Sequence, residues 1–491
     1  MTPSGTLGRA AIALVLLTAA VSRMWDIGTK SLWVDEARAL AIALQSPAEI
    51  IAWCRGVSSH EPPGRLLLMH AAACIPPNIV FSVRMPSLLA GLALLPLAWA
   101  LTRRAGGGCA AGTMAVLFVL FSPALLDHSQ DARYYTVRLA LEMGAAVALL
   151  TAWRAPELRR LWILAGLAAS LALTISYTSL PSSAAVVLVC SLLAVRPARD
   201  PEAPVLRRGA ITALVCFAAP LLLWLLPSLR VAARFVGLAP APPLEPAFER
   251  APRAALRFAP DWDLSLVTSL LHPSAEVALV VALTAVAGAG VVWRRSAHAR
   301  LLLGLVLGLT ATAALGTDMR AFLAPRYVIH LHFLALVLAA VALGTLWESS
   351  ANPAPRIAAA GLALMICATA LPALWRVMTL EKQNWRGAAE LIASHFTPGD
   401  VIVTGAYWSE KPIQFYLQEP EIARAIFPHV LEEERFRPMV RHRASVWYVG
   451  WGEVPPFVRQ TLDTEFRLVA RLAGTQGDVS VYKKGPLPPG A

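Results

Sequence analysis

Charge is what this sequence has least of. Only 15% of its 491 residues are Asp, Glu, Lys or Arg, while 57% are hydrophobic and the mean hydropathy is +0.58. A water-soluble domain carries about 25% charged residues to cover its surface, so a single soluble domain is excluded, as are disordered and collagen-like chains. Cysteine is also sparse. Cys54, Cys74, Cys109, Cys190, Cys216 and Cys367 lie mostly inside apolar runs, and none follows residue 375, so no disulfide framework of the secreted kind is expected. No CxxC or HxxxH spacing marks a dedicated metal site, and no GxxxxGK[ST] loop marks a nucleotide site. ATP is not the expected energy source.

What the chain does have is a series of Ala/Leu/Val runs that recur until about residue 375. A spanning helix needs roughly 20 apolar residues, so an α-helical polytopic membrane protein is the economical reading. The net charge of +12 falls mostly in arginine pairs between apolar runs, where the positive-inside rule accounts for it and no nucleic-acid partner is called for. The run at 10–21 has no small-residue cleavage site after it and reads as a retained first span. With the N-terminus and Arg9 in the cytoplasm, residues 25–84 form an outer loop. Its segment 64–75 is too short to cross and suits an interfacial or re-entrant helix.

The next runs are 85–101, 109–123, 134–152, 161–177, 180–195, 209–229, 275–293, 301–316, 327–347 and 356–375, about eleven spans with the first. Arg103/Arg104, Arg154/Arg159/Arg160, Arg196/Arg199/Arg207/Arg208 and Arg294/Arg295/Arg300 then all fall inside. The tightest junction is 177–181, which has almost no polar linker. Beyond Trp375 charge becomes frequent. An amphipathic helix at 384–396 and strands at 401–404, 445–449, 466–472 and 479–482 indicate a small α/β domain. The expected division is a transmembrane part, 1–375, including the outer loop 25–84, and a soluble extracytoplasmic domain, 376–491.

The chemistry-bearing residues gather at the outer level. Asp35 and Glu36 follow Trp33 just beyond the first span. Adjacent carboxylates there suit the first turn of a helix; they also suit a base, Asp35, that deprotonates an acceptor hydroxyl while Glu36 orients it or holds a cation. Ser46-Pro47-Ala48-Glu49 is a capping box with proline at the first helical position, so Glu49 is structural. His60-Glu61-Pro62-Pro63-Gly64-Arg65 pairs titratable groups with a cation able to reach a phosphate, or is a solvated turn. Asp127-His128-Ser129-Gln130-Asp131-Ala132-Arg133-Tyr134-Tyr135 packs polar groups where a helix re-enters lipid, a position that normally lines a cavity. Arg84 and Arg326-Tyr327 occupy the same level, so several cations can converge on one anionic ligand or snorkel to headgroups. Arg138, inside a span, is not explained by snorkelling.

Taken together, Trp33-Val34-Asp35-Glu36, His60-Glu61-Pro62-Pro63, Arg84-Met85-Pro86-Ser87, Ser122-Pro123 with Gln130 through Tyr135, and Asn384-Trp385-Arg386 resemble the GT-C integral-membrane glycosyltransferases. The likeness is to the bacterial branch similar to dolichyl-phosphate-mannose protein mannosyltransferases and lipid A aminoarabinose transferase. The resemblance implies a polyprenyl-phosphate-linked sugar donor, inversion at the anomeric carbon, Asp35 as base with Glu36 beside it, and Arg133 and Arg326 as lipid-phosphate partners. It also implies a bacterial cytoplasmic membrane, reaction on its outer face, and a glycolipid, polymer or protein acceptor. One departure is Gly64-Arg65 after the prolines, where family members usually continue with Leu and aromatics; Arg65 is then a further phosphate candidate. Glu36, His60, Glu61 and Asp131 could contribute to a divalent cation site, to which the sequence does not commit. The competing class is a transporter or flippase for an anionic or lipid-linked substrate. Such proteins usually show repeated halves, and none is visible between residues 1–190 and 191–375.

Overall fold

The computed structural model describes residues 3–56, 61–197, 202–235, 271–315, 326–405, 409–427, 433–452 and 454–486; His60 lies outside them. The chain forms two compact units. One comprises Met1–Trp25, Ala48–Leu68 and Arg84–Trp375, and the other Asp26–Pro47, Met69–Val83 and Arg376–Ala491. This division differs from the boundary expected at residue 375. Two pieces of the outer loop, assigned from sequence to the membrane part, cluster with the C-terminal residues instead.

The helices up to residue 379 are α1 (Pro3–Met24), α2 (Val34–Ala43), α3 (Pro47–Gly56), α4 (Pro63–Ala73) and α5 (Ile79–Arg104), then α6 (Cys109–Leu120), α7 (Pro123–Ser129), α8 (Tyr135–Arg154) and α9 (Arg159–Ile175). After these come α10 (Leu180–Ala194), α11 (Ala203–Phe235), α12 (Ala275–Arg295), α13 (Ala297–Leu315), α14 (Ile329–Ser349) and α15 (Pro353–Thr379). Among the described residues seven helical stretches are long and apolar enough to cross a membrane, and the number is eight if the pair α6 and α7, bent by 60°, is counted as one broken span. The other expected spans correspond to α1 and α13, whose apolar parts Ile12–Met24 and Ala297–Thr312 are shorter, and to the 17-residue α9. The chain is a multi-pass membrane protein.

In lipid there is no water to release between helices, so close packing at small residues matters most. A Cβ on Gly166 in α9 would sit 2.1 Å from the Ala213 carbonyl oxygen of α11, and one on Gly288 in α12 would sit 1.8 Å from that of Leu338 in α14. The bend between α6 and α7 has a local cause. Pro123 opens α7 with no N–H to give, and the Ser122 hydroxyl accepts from the Leu125 amide at 3.3 Å. At the tight junction α9 stops at Ile175, Ser176 turns extended, a 3-10 turn covers Tyr177–Ser179 and α10 begins at once. The Ser179 hydroxyl donates to the Ser176 carbonyl at 2.7 Å, so two serines do the work of a linker.

The second unit is built on a five-stranded sheet, with β1 (Val401–Thr404), β2 (Ile426–Phe427), β3 (Val446–Trp451), β4 (Arg467–Leu472) and β5 (Val479–Lys484) in the order β2-β1-β3-β5-β4. β2, β1 and β3 are parallel, while β5 runs antiparallel to β3 and β4 antiparallel to β5. α16 (Trp385–His395) precedes the sheet. α17 (Glu410–Tyr416), α18 (Pro420–Ala425) and α19 (Glu433–Arg441) lie between β1 and β3, and α20 (Pro456–Glu465) follows β3. One apolar layer joins Trp385, Ile392, Ile402, Trp447 and Val481 with Val34 of α2. That insertion is the physical reason the outer-loop segment belongs to this unit.

Candidate functional site

The site residues expected from sequence divide between the two units. In the sheet-bearing unit, Val34 opens α2, so Asp35 and Glu36 occupy its first turn, where carboxylates are favoured by the helix dipole. Glu36 is fully buried and its Oε2 accepts from the Trp33 backbone amide at 3.4 Å, the return half of a capping box. Glu36 thus works structurally at the start of α2. Asp35 is half-buried.

The segment before α2 is fastened by residues some 350 positions away. The Gln383 amide oxygen accepts from the Val34 amide at 3.1 Å and from the Trp385 indole at 2.8 Å. The Tyr416 hydroxyl accepts from the Leu32 amide at 2.7 Å, and the Ser31 hydroxyl accepts from the Arg386 amide at 3.1 Å. The Lys382 ammonium lies 5.4 Å from the Trp33 ring centre. Asp35 is therefore carried on a short helix whose approach is pinned by side chains of Lys382, Gln383 and Tyr416. Asn384, the first residue of the Asn-Trp-Arg motif, caps α16 through its Oδ1 and the Gly387 amide at 2.9 Å.

In the membrane unit the polar stretch after α7 is a rigid knot. The Gln130 amide nitrogen donates to the carbonyls of Ser22, Arg23 and Trp25 at 3.0, 3.3 and 3.2 Å, satisfying the open end of α1. Asp131 is fully buried. Its Oδ1 accepts from the Arg133 amide at 2.9 Å, and its Oδ2 lies 3.1 Å from His128 Nδ1. Tyr134, also fully buried, adopts the left-handed conformation with φ 60°, which is strained for a bulky residue and tends to occur at functional sites.

This knot positions the arginine. An Arg133 Nη1 is 4.0 Å from Glu61 Oε1, and Glu61 also pairs with Arg65 one turn along in α4. Gly64 is needed there: a Cβ would lie 2.4 Å from the Thr174 carbonyl oxygen, so the departure at Gly64-Arg65 lets α4 approach the end of α9. A second chain runs from His128 to Tyr135, with ring centres 4.9 Å apart, then to Tyr327 at 6.3 Å, over whose ring the Arg326 guanidinium sits at 5.1 Å. Arg84 is buried in α5, one turn before Ser87, whose carbonyl accepts from the Thr136 hydroxyl at 3.0 Å. The structure thus links Glu61, Arg65, Asp131, Arg133, Tyr134, Arg326 and Tyr327 through this network. Among the described residues no three His, Cys, Asp or Glu side chains gather as a metal site.

A family described as dolichyl-phosphate-mannose-protein mannosyltransferase matches residues 60–224. ArnT from Cupriavidus metallidurans in the apo state is similar with a TM-score of 0.55 at 14% identity, covering 98% of both chains. The same protein bound to undecaprenyl phosphate gives 0.52 at 15%, again covering 98% of both. The fold of this chain is therefore similar to that of ArnT over nearly its whole length. Archaeal oligosaccharyltransferase AglB from Archaeoglobus fulgidus, in complex with an inhibitory peptide and a dolichol-phosphate, is also similar, with a TM-score of 0.52 at 12% identity, covering 89% of this chain and 69% of that one. No curated protein matches the sequence.

Several residues of this region were not singled out from the sequence. Glu142, four positions after Arg138, is buried with its Oε1 3.5 Å from Arg138 Nε, and Arg138 donates to the Tyr327 carbonyl at 3.0 Å and to Thr178. The i, i+4 spacing inside an apolar helix was a usable signal. His332 meets the Ser122 hydroxyl at 2.8 Å. Gln383 looked like one polar residue among several in a linker, and no local pattern marks it.

Proposed function

We propose that the protein is an inverting glycosyltransferase that moves a sugar from a polyprenyl-phosphate donor to an acceptor hydroxyl. The reaction takes place on the outer face of a bacterial cytoplasmic membrane, with the N-terminus inside and the sheet-bearing domain outside. The observation that carries the reading is the Arg133 knot: a guanidinium tied to Glu61 and held on a buried, conformationally strained turn, in a fold shared with a protein whose structure holds undecaprenyl phosphate.

In this reading Arg133 and Arg326, with Arg65 and Arg84, hold the donor phosphate. The Asp35 carboxylate takes the proton of the acceptor hydroxyl as its oxygen forms the new bond to the anomeric carbon. The bond from that carbon to the phosphate oxygen breaks, and the lipid phosphate departs with the electron pair. Negative charge grows on the phosphate as it leaves, and fixed guanidinium groups stabilise it more in the transition state than in the bound donor. Glu36 fixes the helix that carries the base. Candidate acceptors are a glycolipid, an envelope polymer or a protein hydroxyl.

The test compares membrane glycolipids and envelope polymers by mass spectrometry from cells with and without the chain. The expected result is a hexose or pentose increment that disappears with the gene and returns with it. Identical glycan profiles, together with no transfer by the purified protein from polyprenyl-phosphate sugars, would overturn the reading.

A further inference from the structure

The sheet-bearing unit contains a hollow that the transfer chemistry does not use. It lies at the carboxyl end of β3, has a volume of about 230 Å³, and is lined in part by Tyr448, Gly450, Asp463, Arg471, Ser480 and Tyr482. The strand register explains why it exists. Gly450 on β3 lies opposite Ser480 on β5, which in turn lies opposite Arg471 on β4. Residues directly opposite share a face of the sheet, so this row offers no bulk at its first two positions. Leu462 and Asp463 of α20 line the same hollow. The space two ordinary side chains would fill beside that helix stays open.

The next row holds Tyr448 opposite Tyr482, with ring centres 6.1 Å apart, edge to face. A Cβ on Gly405, just after β1, would fall 1.7 Å from the Tyr448 hydroxyl, and one on Gly450 would fall 2.9 Å from its ring. Two glycines therefore make room for one tyrosine. Tyr448 is 1% exposed, and its hydroxyl has no hydrogen-bond partner among the described residues. A buried phenol normally has one. Burial, reinforced by Tyr482, pushes its pKa up, so it remains a neutral donor. The place also fits the sheet topology. The chain leaves β1 for β2 on one side and returns to β3 on the other, and ligands of open α/β sheets bind outside the carboxyl ends at such a switch.

The charges narrow the ligand. Arg459 and Arg471 are balanced by Asp463 and Asp478 around the rim, so the hollow has no formal net charge and no preference for phosphate or carboxylate. Planar carboxylates and guanidinium groups are suited to adjacent hydroxyl pairs, and tyrosine gives an apolar face beside a polar tip. We propose that this hollow is a binding site for a neutral saccharide unit. The proposal stands on the sheet alone and does not require that the chain transfer sugars.

The test uses the full chain in lipid nanodiscs free of maltoside detergent. Neutral gluco-, manno-, galacto- and N-acetylglucosamine trisaccharides are the probes in saturation-transfer NMR and titration, with inorganic phosphate and a uronic-acid trisaccharide as anionic competitors. At least one neutral series should bind. Asp463→Ala and Arg471→Ala, both at exposed positions, should each weaken it about tenfold, and Ser480→Phe should abolish it with the unfolding temperature unchanged. Asp35→Asn should bind the saccharide as the parent does, which separates this proposal from the transferase reading. No neutral saccharide binding, equal binding by the Asp463→Ala and Arg471→Ala variants, or preference for the anionic probes would overturn it.

Discussion

Asp400 in the sheet-bearing unit and Glu142 in the membrane unit are both buried carboxylates beside a cation, but they are satisfied to different degrees. Asp400 accepts from Lys483 at 2.6 Å, from the Trp447 indole at 2.8 Å, and from the Thr397 hydroxyl and amide at 3.0 and 3.2 Å. Burial alone would raise its pKa, but the Lys483, Ser445, Trp447 and Thr397 bonds outweigh it and bring the value down to about 2. Glu142 has only the 3.5 Å approach of Arg138, and among the described residues neither of its oxygens has a hydrogen bond. It lines a largely apolar cavity with Leu101, Met143 and Val186. A fully connected buried network stabilises a fold, whereas an incomplete one is costly and is retained where charge is used. The contrast separates a carboxylate whose bonds are complete, in the sheet domain, from one whose bonds are incomplete, in the membrane unit.

The largest expected effect tests the complete side. Lys483→Met leaves the Asp400 carboxylate buried without its cation and should cost about 3–5 kcal/mol of sheet-domain stability, read by denaturant unfolding of the full chain. A loss below ~1 kcal/mol would erase the contrast. On the other side, Arg133→Ala and Arg326→Ala should weaken donor binding by about ten- to a hundredfold, with unfolding unchanged; unaltered apparent affinity in both would remove the phosphate clamp.

The next effect is smaller and depends on pH. Because the folded Asp400 pKa lies below its ordinary 3.8, its contribution is fully present above about pH 4 and disappears as pH falls through about 2, a loss on the order of 2 kcal/mol. Asp400→Asn should flatten that part of the stability profile; an unchanged profile would mean the acid loss arises elsewhere. The smallest expected effect is on the incomplete side. Glu142→Gln removes a carboxylate that has no hydrogen bond among the described residues and leaves Arg138 its bonds to Thr178 and the Tyr327 carbonyl, so it should change stability by only about 1 kcal/mol, measured by thermal unfolding in nanodiscs. A cost as large as that of Lys483→Met would make Glu142 structural.

The same contrast shows what was legible in the sequence. Spans and strands are local patterns, so the apolar runs and the β-rich stretches at 401–404 and 479–482 fall where helices and strands are found; the two-residue β2 was too short to notice. The polar stretch 127–135 stood out because charge at the end of an apolar run is expensive. Its geometry was not legible: nothing local announces that Tyr134 turns left-handed or that Gln130 closes α1. Least legible was the company kept by Asp35. Hydrogen bonds from residues 31–34 to 383–416 join segments about 350 positions apart, and no periodicity carries such information.

The most direct test of the central claim is transfer by Asp35→Asn, with donor binding measured on the same preparation. Transfer should fall by about 10²–10⁴-fold while the variant folds and binds polyprenyl-phosphate sugar as the parent does. Parental turnover in Asp35→Asn would contradict the account.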